Sequence, residues 1–294
     1  MRDWGTGEEY RKREENKMKS LIVNADDFGL SPGINRGIIE TFENGIVTRT
    51  SIMANGPAFD DACSLALQTS IPVGLHLNLT FGSPVSSPEE IPSLVDARGR
   101  FYGKWAFTRR FFSGLMKHRE IEKEFHAQLE KVSRHSIHIT HLDSHHHIHC
   151  LPGVGKICRQ LAGKYGIKNI RRVTMPRISG RRFLSSYLSQ MIIAGFFKIQ
   201  NSKFIIHNYF FRGFEFMAAK NKKDTLLKIL ASLQEGVNEL MCHPGYAKQT
   251  DDVGKYLQDR QAELKALCEH QVREFVMKND IKLISFGQRE QYLY

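Results

Sequence analysis

The chain has no CxxC pair, and its five cysteines (Cys63, Cys150, Cys158, Cys242, Cys268) are odd in number and scattered. That excludes a disulfide framework and fits a reducing compartment, so a cytoplasmic location is expected. There is no apolar h-region at the start: "MRDWGTGEEYRKREENKMKS" is too polar for a secretory signal peptide. Residues 1–19 read as a mobile extension ahead of a single domain spanning 20–294, with Met18 as an alternative start. Nor is there an uninterrupted run of about 18–20 apolar residues. The most apolar region, 178–217, is broken by Ser185, Ser186, Ser189 and Gln190, which excludes a span but leaves peripheral membrane contact open. Low-complexity tracts and internal repeats are missing too. Net charge is +11, yet the basic residues are dispersed and form no helix–turn–helix, RNA-binding or zinc-finger pattern, so no nucleic-acid partner is expected.

What is present is an ordinary globular composition, 41% hydrophobic and 25% charged, with enough apolar residues for a sizeable core. Short β-branched runs alternate with amphipathic stretches, as in repeated βα units. The strand candidates are 20–25, 48–54, 73–79, 137–143, 169–175, 203–207, 238–243 and 282–286. Helical patterns lie between them, among them "GINRGIIETFENG", "EIEKEFHAQLEKVSRH" and "YLQDRQAELKALCEHQVREFVMKN". Seven or eight strands over this length suggest an α/β fold of the irregular TIM-like (β/α) barrel type, with a doubly wound open sheet as the alternative. The barrel is favoured because polar residues recur where strands run out, which is where such barrels gather their active sites. Two segments read as insertions: 81–105, a Pro/Gly/Ser-rich loop over the mouth, and 178–217, a lid, dimer face or interfacial helix, or else a core helix with a loop.

Four motifs carry chemistry. "NADDFG" ends a strand in Asp26 and Asp27, and two adjacent carboxylates are costly unless they share a cation or a proton. "VGLHLNLT" alternates, with His76 and Asn78 on its polar face. "THLDSHHHIHC" packs five of the chain's 13 histidines between His141 and His149, around Asp143. Imidazole is a good ligand for divalent metals. His141, His145 and His149 would share one face if a helical turn formed, and Asp143 could orient a ligating ring by accepting its free N–H. "ELMCHPGY" ends a strand in His243, a ligand or general-acid candidate. Arg172 stands at another strand end. A metal with three protein ligands, a carboxylate base and a remote histidine suit metal-assisted hydrolysis of an amide or ester. A protein that only buffers or senses metal is the rival, and it has no need of the Asp26–Asp27 pair or of His243.

Together, "LIVNADDFGLSPGIN", "NGIVTRTSIMANG", "VGLHLNLTFGSPV", "THLDSHHHIH" and "ELMCHPGY" resemble the YdjC-like (ChbG/HpnK) carbohydrate deacetylases, from about Leu21 onward. The resemblance implies an irregular TIM-like barrel, a divalent ion (Mg2+ or Zn2+) and removal of acetyl groups from N-acetylated sugars such as N-acetylglucosamine oligosaccharides. Carried over by motif, Asp27, His76 and His145 would hold the metal, Asp26 would be the base and His243 the acid. Asn78, Asp143, His149 and Arg172 would support the metal or contact substrate. "LVDARGRF" and the 178–217 segment resemble the branch acting on hopanoid-type glycolipids. A homodimer is left open.

Overall fold

The computed structural model describes residues 18–173, 209–246 and 257–285. The expected strand 203–207, residues 178–208 of the second insertion and all but the last two residues of the N-terminal extension lie outside them. The first strand, β1 (Lys19–Phe28), is followed by α1 (Pro32–Asn44), β2 (Arg49–Ile52), α2 (Phe59–Thr69) and β3 (Val73–Leu77). Then come α3 (Lys104–Phe112), α4 (His118–Arg134), β4 (Ile139–Ser144), a 3-10 turn over His145–Cys150, and α5 (Val154–Lys164). After the gap follow β5 (Tyr209–Arg212), α6 (Phe214–Met217), α7 (Lys222–Ala231) and β6 (Gly236–Cys242). The described residues close with α8 (Leu257–Cys268), α9 (His270–Lys278) and β7 (Lys282–Leu283).

All paired strands are parallel, in the order β4-β3-β2-β1-β6-β5, with β7 against the N-terminal half of β1. The sheet is curled. Beyond β4, Ile170 bridges Leu142, and the next residue, Arg171, bonds Glu239 of β6 at 2.7 Å. In a flat sheet five strand spacings, about 24 Å, would separate them. Phe211 of β5 likewise meets the His147 ring from the opposite edge, at 5.8 Å between centroids. Among the described residues the barrel is nonetheless open, since no ladder joins β5 to β4. The expected irregular TIM-like barrel of seven or eight strands is thus, among the described residues, an open, broadly TIM-like half-barrel of seven.

Alternation along the strands divides the side chains between two layers. Leu21, Val23, Ala25, Leu75, Leu77, Leu142 and Leu240 face the helices and form the main core. The inner face begins with an apolar plug of Ile22, Val237, Tyr209, Ile284 and Val173. Above it the interior turns polar, with Asn24, Arg49, His141, Arg171 and Glu239 all at 0% exposure. Gly74 is required there: a Cβ would fall 2.1–2.4 Å from the His141 ring.

Several expectations need amendment. Residues 209–217 read as part of a lid or core helix but supply edge strand β5 and α6, because Tyr209 and Phe211 alternate into the inner apolar layer. The expected strand 169–175 forms only the Ile170 bridge among its described residues. The long last helical pattern breaks in two at Glu269. The 81–105 loop is pinned by α4, where Glu120 and Glu124 accept from the backbone N–H groups of Ser93, Val85 and Ser86, and Gln128, one turn on, accepts from Asn78 just ahead of the loop.

Candidate metal centre

The two aspartates reach one site because β1 bulges at its end. Its register against β2 shifts between Ala25 and Phe28, and Asp27 takes a left-handed φ of 71°. Asp26 therefore continues the inward alternation while Asp27 swings over the same mouth. The β1–β6 ladder ends at Ala25 opposite Cys242, so Asp26–Asp27 and His243 emerge side by side.

Ligand atoms of Asp27, His76 and His145 lie within 4.8 Å of one another. His145 Nδ1 is 3.1 Å and His76 Nε2 3.5 Å from Asp27 Oδ1. On its far side His76 donates its Nδ1–H to Asp143 Oδ1 at 2.7 Å, which fixes the ring and leaves Nε2 facing the mouth. This cluster fits a cation. Burial alone would depress the His76 pKa, but Asp143, Asp26 and Asp27 outweigh it and raise it to about 9. Burial would raise the Asp27 carboxyl, yet Arg260, His145 and His243 hold it well below the usual range. A position that stabilises positive charge on one imidazole beside an ionised carboxylate suits a proton or a metal in its place.

Below the mouth a buried charge network supports this geometry. Arg171 grips Asp26 with both terminal nitrogens at 2.7 Å, and it also reaches Glu239 at 2.7 Å and Asp143 at 2.9 Å. Arg49 bonds Asn24 and pairs with Glu239. Ser51 gives its single hydroxyl proton to Asp143, so His141 Nε2, 3.1 Å away, donates to Ser51. Burial and Arg49 keep His141 neutral.

The histidine run divides three ways: His141 lies on the strand expected at 137–143, and the helical turn that would have put it on one face with His145 and His149 does not form. His141 belongs to β4, and left-handed φ values of 56° at both His146 and His147 break the turn. His146 Nδ1 meets Thr80 Oγ1 at 2.9 Å. His149 is buried between Ser144 and the Arg171 carbonyl, and so holds Arg171 in place rather than entering the cluster. Asn78 organises the loop after β3, donating to Asn55 and to the Phe81 carbonyl. Arg171 and Val173 face the interior, so Arg172 between them does not, and its neighbour occupies the place expected for it. His243 is half-buried, its backbone N–H held by Glu263 at 2.6 Å and its Nδ1 without a partner among the described residues. Burial lowers its pKa more than Asp27, Asp26 and Glu263 raise it.

Sequence reasoning missed Arg171, Arg260 and Glu239. Arg260, on α8, donates to Asp27 Oδ2 at 2.5 Å. No local signal marks it, since α8 lies far along the chain and its apolar periodicity is weak. For Arg171 the parity of an Arg–Arg pair was the missing information.

An open parallel α/β barrel with a carboxylate–imidazole cluster at the C-terminal ends of its strands has the layout of barrel enzymes that build their sites from several strand ends. The chain belongs to the YdjC-like protein family, whose model matches residues 20–278. A carbohydrate deacetylase of Thermoanaerobacter pseudethanolicus is 33% identical over 275 residues, covering 92% of this chain and 99% of the relative. A chitooligosaccharide deacetylase of Yersinia pestis is 33% identical, covering 91% and 98%. A crystal structure from Enterococcus faecalis V583, of a candidate for cellobiose-phosphate cleavage, superposes with a TM-score of 0.72 at 25% identity, covering 92% of this chain and 98% of that one.

Proposed function

We propose that the protein is a metal-dependent hydrolase that removes the acetyl group from an N-acetylated sugar. The observation that carries this reading is the Asp27–His76–His145 cluster with Asp26 beside it, in a chain whose relatives are named as carbohydrate deacetylases. Asp27, His76 and His145 would hold the ion. Two imidazoles and one carboxylate favour zinc over magnesium, which prefers oxygen ligands. When bound, the ion would polarise the amide carbonyl and lower the pKa of the attacking water.

The chain's own groups do the rest. Among the described residues Asp26 Oδ1 accepts from Arg171 and Asn24, whereas Oδ2 accepts from Arg171 alone. Oδ2 therefore keeps a lone pair for the proton of the attacking water. Water oxygen adds to the carbonyl carbon, the C–N bond breaks, and the nitrogen must leave protonated. His243, which emerges beside Asp26 and Asp27, would supply that proton, although burial lowers its pKa and so disfavours its charged form until it takes a proton up. Asp143 keeps His76 oriented and Arg171 keeps Asp26 oriented.

Acetate release from a panel of N-acetylglucosamine oligosaccharides, with and without a chelator, tests the reading. Release that stops with chelator and returns with zinc supports it. Metal binding without release from any N-acetylated sugar or glycolipid would favour a metal-buffering protein instead.

A further inference from the structure

A second surface lies at the rim of the same mouth. Residues 97–119 contain seven Lys or Arg (Arg98, Arg100, Lys104, Arg109, Arg110, Lys117, Arg119) and no Asp or Glu. Seven large hydrophobic side chains are exposed among the described residues, and three of them fall in this stretch: Trp105 (64%), Phe112 (49%) and Leu115 (54%). On α3 the spacing from Trp105 to Arg109 and Phe112 puts all three on one helix face. The opposite face is anchored. Phe107 is buried and stacks with Phe111 at 6.0 Å between centroids, and the Arg110 guanidinium lies over the Tyr102 ring at 4.3 Å. An outward face that alternates aromatic and basic residues is thus presented on a rigid base.

The connection to the mouth is short. The Phe81 ring meets His145 at 6.3 Å, Phe101 N–H donates to the carbonyl of the next residue, Gly82, and Lys104 opens α3 three residues after Phe101. At the other end of the stretch His118 packs against Gly153, just past the histidine run.

We propose that α3 and the turn after it form an interfacial docking surface for an anionic lipid bilayer, which brings the barrel mouth against the membrane. Trp, Phe and Leu interleaved with an excess of positive charge, in which Lys117 pairs with Glu120 at 3.5 Å, match the headgroup–acyl boundary of such a bilayer, where apolar rings insert and each nearby Lys or Arg adds affinity. A soluble globular surface gains nothing from clustering these residues. A nucleic acid would use the charge but leave Phe112 and Leu115 without a role. The proposal concerns where the protein sits, so it is read without catalysis.

The test is flotation of the full chain with vesicles of phosphatidylcholine alone or with about one quarter phosphatidylglycerol. Binding is expected only with the anionic vesicles and should weaken in high salt. W105A/F112A should weaken it at least about tenfold, and R109A/K117A by about 25-fold, roughly fivefold per residue. All four positions are exposed or on a helix surface, and unchanged thermal unfolding would confirm that the variants fold. With Trp4→Phe leaving Trp105 as the single tryptophan, its emission should shift to the blue on anionic vesicles. Absence of flotation, or flotation insensitive to W105A/F112A, would overturn the proposal. A Trp105 response to N-acetylated oligosaccharide but not to vesicles would also overturn it and make the residue a sugar platform.

Discussion

Replacing Arg171 by Met removes the cation at the centre of the interior network. The native guanidinium is fully buried and bonds three carboxylates, Asp26, Asp143 and Glu239, at 2.7–2.9 Å. Arg49 remains on Glu239, and His76 and Ser51 remain on Asp143, but Asp26 keeps only Asn24. Deleting one partner of a buried ion pair costs about 3–5 kcal/mol, which for a chain of this size lowers Tm by roughly 6–12 °C. The cost should depend on pH. In the native protein burial pushes the Asp143 carboxyl up, but Arg171 and His76 hold it well below the usual range. A carboxyl with a depressed folded pKa contributes stability above its unfolded value, near 4, and loses it as pH falls. Without Arg171 burial gains the upper hand and the contribution shrinks or changes sign. The gap between native and R171M should therefore widen as pH rises from about 4 to about 7. Thermal unfolding followed by circular dichroism in chelator measures both quantities. A Tm change under about 2 °C at neutral pH, or a gap that narrows with rising pH, would refute the network as described.

Gly74→Ala should destabilise the fold by about 1–3 kcal/mol, because the new methyl would meet a His141 ring that is itself fully buried; denaturant unfolding gives the value. His145→Ala should weaken zinc binding by at least tenfold in calorimetry, and His146→Ala much less, since His146 bonds Thr80 instead of joining the cluster. Equal losses would move the ligand assignment. Arg260→Met should weaken zinc binding by about 10–100-fold by freeing the Asp27 carboxylate it orients; unchanged affinity would make Arg260 a structural residue only.

Much of this was legible in the residues. Strand ends bearing Asp26–Asp27, His76, Asp143 and His243 pointed to a barrel mouth; the two aspartates, His76 and Asp143 do meet there, and His243 follows the strand paired with β1. What stayed hidden depended on long-range register or backbone strain. The parity that sends Arg171 inward and Arg172 away follows from where the chain crosses β4, which no local pattern encodes. The division of the histidine run follows from left-handed residues at His146 and His147, where periodicity suggested a helical face. Strand β5 was obscured because a four-residue aromatic edge strand reads equally well as a piece of a buried helix.

The most direct test of the central claim compares Asp26→Asn and Asp27→Asn in two measurements on the same preparations, zinc content and acetate release from an accepted N-acetylated sugar. The account predicts that Asp26→Asn retains about one zinc per chain and loses acetate release by at least a hundredfold, while Asp27→Asn loses the zinc as well. Zinc lost from Asp26→Asn and kept by Asp27→Asn would contradict it, and would exchange the roles of the two carboxylates at the end of β1.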